Sequence, residues 1–387
     1  MMLRTLALLL ALLLPSPAPA QELVLTVGGD LCLNRSAWSP RPDGAGNSQW
    51  LTPWSKLTSG IAPLLQGADF NFGNLETVVV GSEALPKQKK KYTFQSHVEG
   101  VKHLVDIGFN LFSLANNHSY DFGPEGALST LRHVKALQSR GLHSSGLGRN
   151  VAEAIAPEVF QWQGQTIAFS SVGIVTNMSR AHRAGPDKPG TVRFRDDKDY
   201  TRVLQALKSV KADLKLLSIH YGTERKVALD RGQRKRFKRA IEEAGVDIVI
   251  GHHAHVVRAL ERTEENKVVF YGLGNYLIRG ARNMGPLPDA QDYGLFSRLY
   301  LNVSPETGRF EVQAVEAIPL TNMHFVARPM KAEAAKRRIT VLNELSQKSV
   351  GSDALIFDIQ EDGRGVACFG ENQGPRARKL CRDLSPF

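Results

Sequence analysis

After its first twenty residues the chain has no apolar run approaching the ~20 residues that a membrane span needs. Nor does it show an internal repeat. Its 34 glycines and 19 prolines are scattered rather than periodic, which excludes collagen-like and low-complexity chains and suits many connecting turns. Cysteine is scarce, with three in all. Cys368 and Cys381 lie close together in a polar tail and are expected to pair, whereas Cys32 sits in an apolar segment and reads as a small core residue. Two basic clusters, Lys87 to Lys91 and Arg231 to Arg239, do not alternate with aromatic residues as nucleic-acid stacking platforms do, so nucleic acid is not an expected partner.

What is present is ample core material: 42% of the 387 residues are hydrophobic and 22% charged, enough for one large domain or two ordinary ones. The net charge of +11 favours anionic partners but says nothing about fold. Met1 to Ala20 reads as a signal peptide: Arg4, an apolar run from Leu6 to Leu14, then the small-residue site Ala18-Pro19-Ala20. The mature chain is therefore expected in the periplasm or outside the cell, with no transmembrane segment, as one domain over 21–327 followed by a C-terminal extension over 328–387.

Compact runs rich in Val, Ile, Leu and Phe read as buried strands at Leu23 to Gly28, Phe109 to Ala115, Thr166 to Val172, Leu214 to His220, Val246 to Gly251 and Val268 to Gly272. Apolar residues at helical spacing mark Val98 to Ile107, Pro124 to Arg140, Lys198 to Lys211 and Ala228 to Ala244 as helices. That alternation implies βα units around a central sheet. Period-two patterns at Arg298 to Val303 and Phe310 to Ile318, and again across Glu158 to Val172, predict antiparallel hairpins and hence mixed sheets. Met330 to Gln347 reads as a helix and the remainder as a polar extension. The loop from Ala37 to Thr58, with its Trp and Pro residues, is a candidate lid or rim.

The chemistry sits where these strands end. Gly29-Asp30, Gly73-Asn74-Leu75-Glu76, Asn116-Asn117-His118 with Asp121, His220, and Gly251-His252-His253-Ala254-His255 each follow a predicted strand, at the edge where α/β sheets place their sites. Carboxylate, amide oxygen and imidazole together suit Mn, Fe or Zn. Tyr271 to Tyr276, YGLGNY, reads equally as a substrate-approaching backbone with Asn275 as a hydrogen-bonding group or as a tight turn needing positive φ.

In order, GGD at Gly28 to Asp30, GNLET at Gly73 to Thr77, LANNHSYDFG at Leu114 to Gly123, IHYGTE at Ile219 to Glu224, GHHAHV at Gly251 to Val256 and YGLGNY resemble the CapA capsule-synthesis family of the calcineurin-like metallophosphatase superfamily. The resemblance implies an α/β fold: a metallophosphatase-like sandwich of two mixed β-sheets flanked by helices, with a helical or irregular C-terminal extension. It implies Asp30, Glu76, Asn117, His220, His253 and His255 as ligands of one or two divalent ions, with His252 as an alternate. It further implies His118 as proton donor, oriented by Asp121. Asn275 and Arg35 are assigned to substrate binding. Other superfamily members carry a His two residues after the first Asp and a bridging aspartate in the second motif; here stand Cys32, and Asn74 with Glu76. The expected function is metal-dependent hydrolysis in the synthesis, attachment or trimming of an anionic cell-envelope polymer such as poly-γ-glutamate, beside other capsule synthesis proteins. The alternative is a non-catalytic factor that binds polyanion on the same scaffold.

Overall fold

The computed structural model describes residues 22–33, 52–173, 182–279, 288–370 and 373–382. The expected signal peptide, Arg35 and most of the 37–58 loop lie outside the described residues; the end of that loop forms a short helix, Trp54–Thr58.

The chain builds one sheet, crosses to a second, and returns to the first. Strands β1 (Glu22–Cys32), β2 (Phe70–Leu75), β3 (Leu111–Ser113) and β4 (His143–Ser145) run parallel side by side. Next come β5 (Glu158–Trp162), β6 (Gln165–Gly173), β7 (Leu214–His220), β8 (Ile248–His252), β9 (Leu260–Arg262) and β10 (Val268–Phe270). These form a second sheet in the order β9-β10-β8-β7-β6-β5, parallel at its centre and antiparallel at both edges. The chain then rejoins the first sheet through β11 (Asn275–Ile278), β12 (Gly294–Val303), β13 (Phe310–Thr321), β14 (Arg328–Pro329), β15 (Asp358–Ile359) and β16 (Gly365–Cys368). On the side of β1 away from β2, β12 pairs antiparallel with its first part and β11 lies parallel to its end. Both predicted hairpins are present, as β5/β6 and β12/β13.

The two sheets face each other across one apolar layer. Leu23, Leu25, Val27, Phe70 and Phe72 from the first meet Phe169, Leu214, Leu216, Ile248 and Ile250 from the second. Phe72 and Phe169 touch edge to face with ring centroids 6.0 Å apart. Helices cover the outer faces. On the first sheet lie α1 (Val98–Asp106) and α2 (Gly123–Leu137); on the second lie α3 (Asp197–Ser209) and α4 (Gln233–Ala244). Fully burying an aliphatic or aromatic side chain contributes about 1.5–3 kcal/mol, and this layer joins the sheets into one body. Between α3 and α4 the Lys215 amine donates to the Leu207 and Ala244 carbonyls, so an outward-facing lysine of β7 satisfies two helix ends.

Two expectations need correction. The sequence places Arg231, Arg234, Lys235 and Lys238 on one positive helical face, but only part of it is free: Arg231 and Lys235 are exposed, whereas Arg234 and Lys238 pair with Glu261 and Asp353, and nearby Arg236 pairs with Asp197 and Arg239 with Glu243. Its helix also starts later than predicted, at Gln233, because Gly232 is left-handed at φ 75°. The segment after Gln347 is not merely polar and irregular. There α5 (Ala332–Val350) is followed by β15 and β16, which extend the first sheet beyond β13. Helix α6 (Pro375–Arg382) is tied to β16 by the Cys368–Cys381 disulfide and to β1 by Arg376, which donates to Glu22. Those tertiary bonds order a tail whose composition gives no local signal.

Candidate metal centre

Strand alternation dictates where the site falls. On β7 the residues Leu214, Leu216, Ser218 and His220 share a face, and the two leucines belong to the layer between the sheets. His220 therefore ends an inward row. On β8 His252 does the same after Ile248 and Ile250, and His220 and His252 are register partners. On β2 Asn74 follows Phe70 and Phe72. β1 needs a correction to join them, since unbroken alternation after Val27 would turn Asp30 to the other face. The register slips by one residue between Val27, opposite Phe72, and Asp30, opposite Asn74. Gly28 and Gly29 form this bulge: a Cβ on Gly28 would lie 2.3 Å from the Tyr276 ring, and one on Gly29 would lie 1.8 Å from the Gly274 carbonyl oxygen. The bulge turns Asp30 inward.

Asp30 is the hub of a fully buried cluster. Its Oδ1 accepts from Asn74 Nδ2 at 2.8 Å and lies 3.7 Å from His220 Nδ1 and 3.5 Å from His252 Nδ1. Its Oδ2 accepts from the His253 amide at 3.2 Å and lies 3.3 Å from His255 Nδ1. The Nδ1 atoms of His220 and His252 stand 2.7 Å apart, while Ser218 Oγ fixes His252 from behind at 2.6 Å. His220 Nε2 reaches Asn117 Oδ1 at 2.6 Å. Asp30, His220 and His252 thus form one group that could hold a metal ion.

Glu76, His253 and His255 form a second such group. Glu76 Oε1 lies 3.5 Å from His220 Nε2, so the two groups adjoin. Both Glu76 carboxylate oxygens and His253 Nδ1 are buried without a hydrogen-bond partner. Leaving such groups unpartnered costs about 1–3 kcal/mol each, more when charged, and a divalent ion would satisfy all three. The donor set fits Mn, Fe or Zn. His253 and His255 both hold left-handed backbone, at φ 89° and 56°, a strain of about 1–3 kcal/mol each for a non-glycine residue.

Beside this cluster, His118 Nδ1 lies 2.6 Å from Asp121 Oδ2, and its ring stacks on Phe94 at 3.9 Å. Its Nε2 is 3.9 Å from Glu76 Oε1. Asp121 also accepts from Lys90 Nζ at 2.7 Å and from the Phe94 amide at 2.6 Å.

The electrostatics match cation binding. Burial pushes His220 and His252 down to about 3 and His253 well below the usual imidazole range, so three rings stay neutral with lone pairs to give. Burial also pushes Glu76 up to about 8, with the Asp30 charge adding to the effect. Asp30 moves the other way: the His255 bond and the neighbouring imidazoles outweigh its burial and hold it well below the ordinary carboxylate range. His255 is pulled down by burial, but Glu76 and Asp30 more than offset this and push it up to about 10.

The family described as bacterial capsule synthesis protein PGA_cap matches residues 24–279. The chain belongs to this family. Within it, the chain is 28% identical over 311 residues to the PGA biosynthesis protein CapA of Bacillus subtilis, covering 79% of this chain and 76% of that one. It is 28% identical over 222 residues to the capsule biosynthesis protein CapA of Bacillus anthracis, covering 56% and 52%. A probable polyglutamine synthesis accessory protein of Mycobacterium tuberculosis is 27% identical over 233 residues, covering 58% and 59%. Structural neighbours include a phosphatase from Mycoplasma pneumoniae (TM-score 0.46, 14% identity, 78% of this chain and 94% of that). Another is the calcineurin-like phosphoesterase YfkN of Bacillus subtilis (TM-score 0.42, 13% identity, 85% and 99%).

Of the residues singled out from the PGA_cap sequence motifs, Asp30, Glu76, Asn117, His118, Asp121, His220, His252, His253 and His255 converge as described. Asn275 joins them, but its Oδ1 is 2.7 Å from His255 Nδ1, so it orients a ring of the cluster. Arg35 lies outside the described residues. Cys32 is buried and belongs to neither metal-capable group. Sequence reasoning missed Ser218 and Lys90. Ser218 stands two residues before His220 on the same strand face, a signal that was available. Lys90 looked like one of several surface lysines, and only tertiary contact separates it from them.

Proposed function

We propose that this PGA_cap protein is an exported, metal-dependent hydrolase acting on an anionic cell-surface polymer such as poly-γ-glutamate, during its synthesis, attachment or trimming. The observation that carries the reading is Glu76: a fully buried carboxyl group with both oxygens unpartnered, grouped with His253 and His255, adjoining His220 of the other group and near His118. Asp30, His220 and His252, with Asn117 alongside, would hold one ion; Glu76, His253 and His255 would hold a second or share the first. Bound Mn, Fe or Zn supplies Lewis acidity and an activated water near neutral pH.

The chain's own residues do the rest. Asp121 engages His118 Nδ1, and Phe94 fixes the ring plane, so Nε2 is the atom presented to a leaving group. From there His118 donates the proton that the departing oxygen or nitrogen requires. Asn275 acts through His255, and Arg35 is assigned to substrate contact. Export to the periplasm or cell exterior rests on the leader-like Met1 to Ala20, where other capsule synthesis proteins would be its neighbours. Among the described residues no helix is long and apolar enough to cross a membrane.

Metal analysis of the purified protein, joined to turnover of a generic phosphodiester and of poly-γ-glutamate, tests the reading. His118→Ala is expected to retain metal and lose at least about 100-fold in turnover. A folded, metal-free and inert protein that still binds polyanion would instead support a non-catalytic assembly factor.

A further inference from the structure

The two basic clusters differ in a way that composition hides. In the 231–239 cluster Arg234, Arg236, Lys238 and Arg239 are paired within the protein, and Arg231 and Lys235 alone are exposed outside any ion pair among the described residues. Along the irregular segment 87–91 the opposite holds: Lys87, Lys89 and Lys91 are exposed, and none is within ion-pair distance of an acid among the described residues. Between them Gln88 is also exposed but held by its backbone, and only the Lys90 side chain turns inward. The Gln88 amide donates to the Asp121 carbonyl at 2.9 Å, and half-buried Lys90 donates to the Asn117 carbonyl at 2.6 Å and to Asp121 Oδ1 at 2.7 Å. The Gln88 backbone and the inward Lys90 side chain thus fasten this segment to the loop that carries Asn117 and His118. Outward residues leave three free ammonium groups beside the metal centre.

We propose that this segment is the docking track for the polymer: Lys87, Lys89 and Lys91 engage successive carboxylates of a γ-linked polyglutamate chain, and Lys90 anchors the track to the metal centre. The proposal rests on the reading of poly-γ-glutamate as substrate. Alternate residues of a chain stand at most about 7 Å apart, and closer where it bends, as at Lys89 and Lys91. A γ-linked glutamate lengthens the backbone repeat by two methylenes, so its carboxylates recur about every 6 Å when extended, within the reach of these flexible ammonium groups. Tyr92, 59% exposed with Lys91 Nζ 5.2 Å from its ring centroid, adds an apolar surface for the polymer's methylenes at the end of the row.

Fluorescence anisotropy with labelled poly-γ-glutamate tests this on the whole protein at 50 and 200 mM salt. The triple variant Lys87→Gln/Lys89→Gln/Lys91→Gln is expected to bind at least tenfold more weakly and with a shallower salt dependence. Arg231→Gln/Lys235→Gln and a triple Lys→Arg variant at the track are expected to bind like wild type, and metal content is unchanged in all. If wild type binds and the triple Gln variant binds equally well, the track is wrong while the polymer reading stands. If wild type does not bind poly-γ-glutamate, both fall. Tighter binding of inorganic polyphosphate than of poly-γ-glutamate would overturn the choice of occupant.

Discussion

Replacing Glu76 by glutamine keeps the side chain's shape while removing both its charge and its proton. In the metal-free protein burial and the Asp30 charge push this carboxyl up to about 8, so at pH 6.5 it holds a proton that a ligating ion must displace. Displacing a proton makes affinity rise about tenfold per pH unit well below the group's pKa and half as steeply at it, so with a value of about 8 the gain from pH 6.5 to 8.0 is about 15-fold, or about 1.6 kcal/mol. The other groups do not cancel this slope. His220, His252 and His253 are already neutral across the window, and His255, whose protonated form Asp30 and Asn275 also favour, can only add to it. Competition with a chromogenic chelator for Zn or Mn on stripped protein reads the affinity directly. Wild type is expected to gain at least about 15-fold between pH 6.5 and 8.0. Glu76→Gln is expected to lose about one unit of slope and at least about tenfold in affinity at pH 8.0. A wild-type affinity that stays flat over this range, or a variant with an unchanged slope, refutes Glu76 as a buried, proton-bearing ligand.

Three further perturbations probe the scaffold. Gly29→Ala would put a Cβ 1.8 Å from the Gly274 oxygen, so urea unfolding should show a loss of about 3 kcal/mol or more together with weakened metal binding; a near-neutral result would contradict the bulge. Arg258 is fully buried and donates to the Thr223 and Lys226 carbonyls, Asp230 and Gln233, tying down the loop after His220. Arg258→Met is expected to cost about 3 kcal/mol, and increased protease cleavage within 221–232 would report the freed loop. Cys368→Ser/Cys381→Ser opens a short closed loop and is expected to lower stability by about 3 kcal/mol, with the metal centre intact by metal analysis. Equal unfolding midpoints for wild type with and without reductant would refute that contribution.

Much of the site was legible because polar residues at the ends of apolar runs are conspicuous. Asp30, His220 and the triple-histidine segment each follow an apolar run, and the period of a strand already places His220 on the face of Leu214 and Leu216. The strands that carry the site, both hairpins, and the helices to within a few residues follow from the same local periodicities, whereas the short strands β4, β9, β11, β15 and β16 were not legible. The bulge was not legible, because two glycines permit it but only the close approach of Tyr276 and Gly274 requires it. Nor was the status of individual charges. Lys90 and Lys89 are neighbours of identical chemistry, yet one donates to Asp121 and the other is exposed, and Arg234 lost its place on a free basic face to a buried Glu261 far away in the chain. The sequence by itself determined which residues could bind a cation and which strands would carry them, since periodicity and side-chain chemistry are local properties. Tertiary structure alone decided which donors share a cation, how their protons are held and which lysines remain free, since those depend on distances between segments more than two hundred positions apart and on the water their packing excludes.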